Sequence, residues 1–115
     1  MGKTLYFPDK FINAACDLFR LLSDKTRLGI LLHLMQGEHS VGELCVELDL
    51  PQPTVSHHLA LMRMSRLIHK RRQGKQMIYS VNRELLRDLG MELFKYMSPK
   101  SDKIEVDQFV FAKVK

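Results

Sequence analysis

Apolar positions recur along this chain at helical spacing, then alternate as in a strand, then return to helical spacing. A short lead with Leu5, Tyr6 and Phe7 closes at Pro8, and Asp9 offers an N-cap. Phe11, Ile12, Ala15, Cys16, Phe19 and Leu22 recur at steps of one and three along one face, which predicts an amphipathic helix over 9–22. Ser23 is the expected cap of the next helix. Leu28, Ile30, Leu31, Leu32, Leu34 and Met35 fill that helix on nearly all sides, so it should be the most buried, with Gly37 as its stop.

Ser40 followed three residues later by Glu43 has the form of a capping box. The short helix they open runs to about Asp49, with Val41, Leu44, Cys45 and Leu48 inward. Pro51 and Pro53 break it, because proline fits only the start of a helix. A new helix begins at Gln52 or Pro53, reaches about Ser65 and turns Val55, Leu59 and Met62 inward. From Leu67 to Arg72 and from Gln76 to Val81 the pattern becomes that of strands, with Met77, Tyr79 and Val81 alternating. Gln73-Gly74-Lys75 between them predicts a β-hairpin with a three-residue tip. Asn82 caps a last helix whose Leu85, Leu86, Leu89, Leu93, Phe94 and Met97 make a broad apolar face, and Ser98-Pro99 ends it. The tail 99–115 is polar with scattered apolar residues, and its pattern selects neither strand, helix nor disorder. The layout is mainly α with a β-hairpin, in the order of a winged helix-turn-helix, in one domain of 1–115 with a 9–98 core.

Composition narrows the class. A chain of 115 residues, 45% hydrophobic and 27% charged, matches an ordinary globular protein with one modest core. The two cysteines are too few for a secreted disulfide framework, the first residues hold no signal-peptide core, and the apolar run 28–35 is too short to span a bilayer. A cytoplasmic protein with no membrane partner is expected.

The net charge is +5, and its location matters more than its size. Between Leu50 and Arg83 stand seven basic residues, Arg63, Arg66, Lys70, Arg71, Arg72, Lys75 and Arg83, and no Asp or Glu. The remainder carries 11 basic and 13 acidic residues, so the positive charge sits in one third of the chain. A solvated basic face is the plain alternative. The short polar residues Gln52, Thr54, Ser56 and His57 at the start of the second helix of a helix-turn-helix favour double-stranded DNA. Gln pairs with adenine edges, Ser and Thr bond bases or phosphates, and the helix N-terminus favours phosphate. Arg63 and the hairpin cations Lys70, Arg71, Arg72 and Lys75 are the expected backbone or minor-groove contacts. There is no Gly-rich phosphate loop, nucleophile elbow or recognisable carboxylate pair, so neither an enzyme nor a cofactor is expected. The competing classes are a non-specific architectural DNA binder and a protein-interaction module.

The runs Leu21-Leu22-Ser23-Asp24-Lys25-Thr26-Arg27-Leu28, Val41-Gly42-Glu43-Leu44, Pro51-Gln52-Pro53-Thr54-Val55-Ser56-His57-His58-Leu59 and Gly74-Lys75-Gln76-Met77-Ile78-Tyr79-Ser80-Val81 resemble the ArsR/SmtB family of bacterial repressors, over roughly residues 10–97. The resemblance implies a homodimer built from the first and last helices, an inverted-repeat operator, and release by a small inducer whose identity is unknown. It also implies that His57 faces DNA while His58 is structural. Pro51 departs from the pattern, since relatives usually have a capping Ser there.

The resemblance further implies metal sites, and this sequence breaks both kinds. The thiolate run of the family stands here as Glu43-Leu44-Cys45-Val46-Glu47, with one cysteine where a soft metal needs more. The ligand positions of the last helix fall on Arg83, Leu85 and near Tyr96 and Pro99, none of which fits. No metal is expected. Cys16 and Cys45 are packed small residues, or a thiol pair that senses oxidants or sulfur species, or, as the least favoured alternative, metal ligands helped by His or Glu. His33 is expected to pack, His39 to lie on the surface and His69 to sit near DNA. Met62, Met64, Met77, Met91 and Met97 read as core or dimer filler.

Overall fold

The first expected helix is present as α1, Asp9–Leu22, in the computed structural model, which describes residues 8–97, 103–106 and 109–112. Its entry differs from expectation. Pro8 is the N-cap and makes no side-chain hydrogen bond, while Asp9 is the first helical residue, where its charge complements the helix N-terminus. Ser23 closes α1 rather than opening its neighbour, donating from Oγ to the Arg20 carbonyl at 2.8 Å. Asp24 is the N-cap of α2, Lys25–Gln36, and accepts from the Arg27 amide at 3.1 Å. Nor is α2 buried all round: Ile30, Leu31 and Leu34 are buried, but Leu28, Leu32 and Met35 form an exposed row. The two rows lie on different sides of one helix, so the second waits for something outside this packing.

The capping box is real. Ser40 Oγ accepts from the Glu43 amide at 3.1 Å, and Glu43 Oε1 accepts from the Ser40 amide at 2.9 Å. It starts α3, Val41–Leu48, whose Leu44 is fully buried. Asp49 then enters the left-handed region at φ 54°, and the Leu50 amide closes back on the Cys45 carbonyl at 3.1 Å. Pro51 is the N-cap of α4, Gln52–Met64, with Pro53 in its first turn. Val55, Leu59 and Met62 are all fully buried, as their spacing predicts. Each such side chain stabilises the fold by about 1.5–3 kcal/mol relative to exposure, so α4 is held along one stripe and free on the other.

The chain leaves α4 through a second left-handed residue, Arg66 at φ 62°, with the Leu67 amide donating to the Met62 carbonyl at 3.1 Å. Three strands follow the order β1-β3-β2: β1 His39–Ser40, β2 Ile68–Gln73 and β3 Gln76–Val81, all antiparallel to their neighbours. The hairpin tip is shorter than expected. Gln73 pairs with Gln76, leaving only Gly74 and Lys75 in the turn, and Gly74 takes φ 63°, the positive value a two-residue turn needs at its first position. Because β3 is central, Ile78 is buried along with Tyr79 and Val81. Asn82 caps α5, Arg83–Met97, as expected, its Oδ1 accepting from the Leu85 amide at 3.2 Å. In the tail, β4 Lys103–Val106 and β5 Phe109–Ala112 pair antiparallel, with Val106 opposite Phe109. Ser98 and Pro99 lie outside the described residues.

Candidate nucleic-acid interface

The two halves of the helix-turn-helix are locked differently. The capping box and the Asp49 turn fix α3, and α3 packs on α4, α2 and the sheet. α4 enters from Pro51, whose carbonyl accepts from the Thr54 and Val55 amides at 3.1 and 3.2 Å. No side chain caps this N-terminus. The departure at Pro51 therefore leaves the α4 entry without the extra acceptor a serine would supply.

Helical periodicity sorts the predicted contacts. Opposite the buried Val55, Leu59 and Met62 stripe lies a ridge of Pro53, His57, Ala60 and Met64, all exposed. Gln52, Ser56 and Arg63 share one flank of that ridge, and Thr54 and His58 the other. Gln52, His57 and Arg63 are exposed, while Thr54 and Ser56 are half-buried at the stripe's edges. Met64 was expected as filler, but it is 78% exposed on the ridge.

His58 behaves as the structural member of the pair. Its ring faces Arg27, whose NH1 lies 3.3 Å from His58 Nδ1, and Asp24 Oδ2 is 3.9 Å from the same nitrogen. The Arg27 amide, donating to Asp24, holds that carboxyl below its ordinary value. The His57 and His58 ring centroids stand 5.5 Å apart with their planes at 61°, an edge-to-face arrangement.

On the wing, alternation along β2 puts Lys70 and Arg72 on one face and His69 and Arg71 on the other. All four are exposed, and so is Lys75 in the turn. Arg71 is already engaged: its Nε and NH2 bind Glu38 Oε2 and Oε1 at 3.2 and 2.9 Å, and NH1 binds Gln73 Oε1 at 2.7 Å. This hydrogen-bonded guanidinium keeps the Glu38 carboxyl below its ordinary value. Arg83 is also engaged, with NH2 2.9 Å from the Met35 carbonyl at the C-terminal end of α2. Among the described residues, no ion pair holds Arg63, Lys70, Arg72 or Lys75. Sequence reasoning missed Glu38 and Arg27 as the partners that set Arg71 and His58. Separations of 33 and 31 residues leave no local signal for either.

The two cysteines are free and sit apart in the architecture. Cys16 is exposed on α1, which packs on α2 and α5. Cys45 is half-buried on α3 against the core. Cys16 is thus exposed on the single chain, whereas Cys45 packs against the core. His39 is not a surface histidine either, since its side chain is only 12% exposed. An open cleft of about 560 Å³ lies between α1, α2, α4 and α5, lined among others by Leu18, Arg27, Leu61 and Leu89. No described helix is long and apolar enough to cross a membrane.

Comparison with known proteins follows the same segment. Residues 24–70, from the α2 cap to the first strand of the wing, match the bacterial regulatory protein, arsR family. The chain is 40% identical over 85 residues to the HTH-type transcriptional regulator KmtR of Mycobacterium tuberculosis, covering 74% of this chain and 65% of that protein. It is 50% identical over 66 residues to the arsenical resistance operon repressor of Escherichia coli, covering 56% of each. The match thus spans less than two thirds of either relative's length. The crystal structure of the transcriptional repressor BigR from Xylella fastidiosa superposes with a TM-score of 0.63 at 31% identity, covering 77% of this chain and 91% of that one. The chain belongs to the arsR family of bacterial regulatory proteins and has the winged-helix fold of its members.

Proposed function

We propose that this chain is a sequence-specific DNA-binding transcriptional repressor that works as a homodimer on an inverted repeat. One observation carries the reading. From Leu50 to Arg83, the stretch that forms the exposed side of α4 and the wing contains no carboxylate, and six of its seven cations, all but Arg71, are held by no ion pair among the described residues. Such a surface attracts a phosphate backbone, while the polar start of α4 offers groups suited to base edges. Gln52, Thr54, Ser56 and His57 are the proposed base and phosphate contacts. Arg63, Lys70, Arg72 and Lys75 neutralise phosphates, and Arg71, its charge balanced by Glu38, contributes a hydrogen-bond contact to the DNA backbone. The relatives' described roles as repressors support the direction of regulation.

The dimer rests on α1, which has a strongly one-sided apolar pattern and yet no buried residue. Ile12 is 41% and Phe19 59% exposed, on the row that also carries Cys16. A second copy would cover them, and a two-fold pair reads an inverted repeat. On this reading residues 1–115 form one non-catalytic domain that works in the cytoplasm, answering to a small inducer or to oxidation of Cys16 and Cys45.

The test is a fluorescence-anisotropy titration of the reduced protein against DNA from upstream of its own gene and a scrambled duplex of equal length at fixed salt. Preference for the native fragment supports a sequence-specific regulator. Equal, salt-sensitive binding to both makes the chain an architectural binder at that locus.

A further inference from the structure

Between Leu50 and Arg83, Arg71 is the one arginine or lysine that an ion pair holds among the described residues. Its partner comes from outside the wing. Glu38 stands between the end of α2 and β1, and β3 lies between β1 and β2. The Arg71 side chain therefore crosses the central strand, at the level of its paired residue Ile78, to reach Glu38. The grip is two-pronged. Nε donates to Glu38 Oε2 at 3.2 Å and NH2 to Glu38 Oε1 at 2.9 Å, while NH1 donates to Gln73 Oε1 at 2.7 Å. Three of the five guanidinium N–H donors are thus taken, and both carboxylate oxygens accept. The same bond holds the Glu38 carboxyl below its ordinary value, so the pair is fully charged at neutral pH.

We propose that Glu38 is a positioning residue that acts through Arg71 to restrain non-sequence-specific DNA binding. It turns the arginine from a free cation into a fixed hydrogen-bond donor with no net charge. Arg71 and Glu38 are 50% and 48% exposed, and a pair this open to water adds little to stability. Its effect on a polyanion is larger. A free guanidinium on the wing neutralises a phosphate of any duplex and releases a counterion, whereas a guanidinium bridged to a carboxylate does not. The clamp also removes reach. An unclamped arginine on its long stem finds a phosphate in any docking, but the clamped one meets a phosphate only where the docked backbone passes its remaining donors on NH1 and NH2. Lys70, Arg72 and Lys75, held by no ion pair among the described residues, supply the general attraction of the wing, and Arg71 supplies direction.

This role rests on the DNA-binding reading but on no particular operator. The competing role is purely structural, with the pair stapling the wing to the start of β1. Losing a staple would loosen the wing and weaken binding to every duplex. Losing a restraint does the opposite, because a charge is set free. Glu38→Gln separates the two, since it removes the negative charge and keeps the size of the side chain.

The experiment is an anisotropy titration of a duplex of scrambled sequence with the full-length chain, over salt concentrations from about 50 to 200 mM. Glu38→Gln should bind more tightly than wild type at the lowest salt. Across that range it should lose about three- to fourfold more affinity than wild type, as one added phosphate contact requires. Glu38→Ala should behave alike, so the outcome does not hang on one variant, and the urea midpoint of each reports whether the fold is kept. Glu38→Asp, which keeps the charge, should stay near wild type. Glu38→Gln combined with Arg71→Gln again leaves no net charge at the pair and should restore the wild-type salt slope. Folded Glu38 variants that bind no more tightly than wild type, with an unchanged slope, overturn the proposal and leave the pair as a staple of the wing. A wild type that binds no duplex at any salt overturns the DNA-binding reading itself and this role with it.

Discussion

Arg27 NH1 lies 3.3 Å from His58 Nδ1, joining the first turn of α2 to the middle of α4. Arginine has no acceptor, so His58 accepts on Nδ1 and carries its proton on Nε2. The same guanidinium donates from Nε to the Leu21 carbonyl at 2.6 Å, at the end of α1. One side chain therefore ties three helices at the root of the proposed reading helix. Arg27→Ala and His58→Ala should each destabilise the protein, and a double-mutant cycle in urea should give a coupling of about 0.5–1.5 kcal/mol. Strict additivity of the two losses would remove the assigned role of His58.

Base reading and phosphate binding separate by mutation. Gln52→Ala should cost about 1–3 kcal/mol and relax the preference at one position of each half-site. Arg72→Ala with Lys75→Ala should weaken binding to every duplex and flatten the dependence of affinity on salt. Anisotropy against a panel of single-base operator variants at several salt concentrations distinguishes the two. An unchanged preference profile rejects Gln52 as a reader, and an unchanged salt slope removes the wing from the contact surface.

Acid should loosen the two helix starts. The Ser40 amide and hydroxyl, bonded to Glu43, hold its carboxyl below the ordinary 4.5, and the Arg27 amide holds Asp24 below the ordinary 3.8. A carboxyl with a depressed folded-state pKa contributes its stability above the unfolded value and loses it as pH falls through the folded one. The urea midpoint should therefore hold through neutral pH and fall once pH drops below those ordinary values. Glu43→Gln and Asp24→Asn should each make that fall shallower, Asp24→Asn while keeping a capping side chain. Parallel wild-type and variant curves would place the acid sensitivity elsewhere.

The exposed row of α1 should govern assembly. Phe19→Glu puts a charge on that row and should shift the protein toward monomer in sedimentation equilibrium, with folded helical content retained. The same variant should lose affinity for a two-half-site operator far more than for a single half-site. A dimer that survives the substitution places the two-fold interface on another face.

Arg66 holds φ 62°, a region that costs a non-glycine residue roughly 1 kcal/mol. Arg66→Gly should relieve that strain and raise the unfolding free energy by up to about 1 kcal/mol, less the added freedom of glycine in the unfolded chain, and so raise the urea midpoint. A lowered midpoint would show that the arginine side chain itself supports the turn between α4 and β2.

Much of this was legible in the sequence because the signals were local. The α1 limits, the capping box at Ser40 and Glu43, the Asn82 cap and the buried Val55, Leu59 and Met62 stripe all follow from spacing within one or two helical turns. The cap at Asp24 was missed by one residue because Ser23 and Asp24 are both capping types, and only the bond to the Arg27 amide separates them. The third strand was invisible because two residues, His39 and Ser40, carry no period. The shorter hairpin tip depended on the Gln73–Gln76 pairing, which the composition of the turn does not fix.

By itself the sequence determined the order of elements, the helix faces and the concentration of positive charge between Leu50 and Arg83, because these depend on periodicity and counting. Only the tertiary structure decided which charges and rings meet. Arg71 with Glu38, Arg83 with the Met35 carbonyl, Arg27 with His58, and His33 and His39 with Glu47 join separate parts of the chain, the first three pairs more than thirty positions apart. A hydrogen bond acts over about 3 Å, whereas sequence pattern reports only on the turn or strand that contains it.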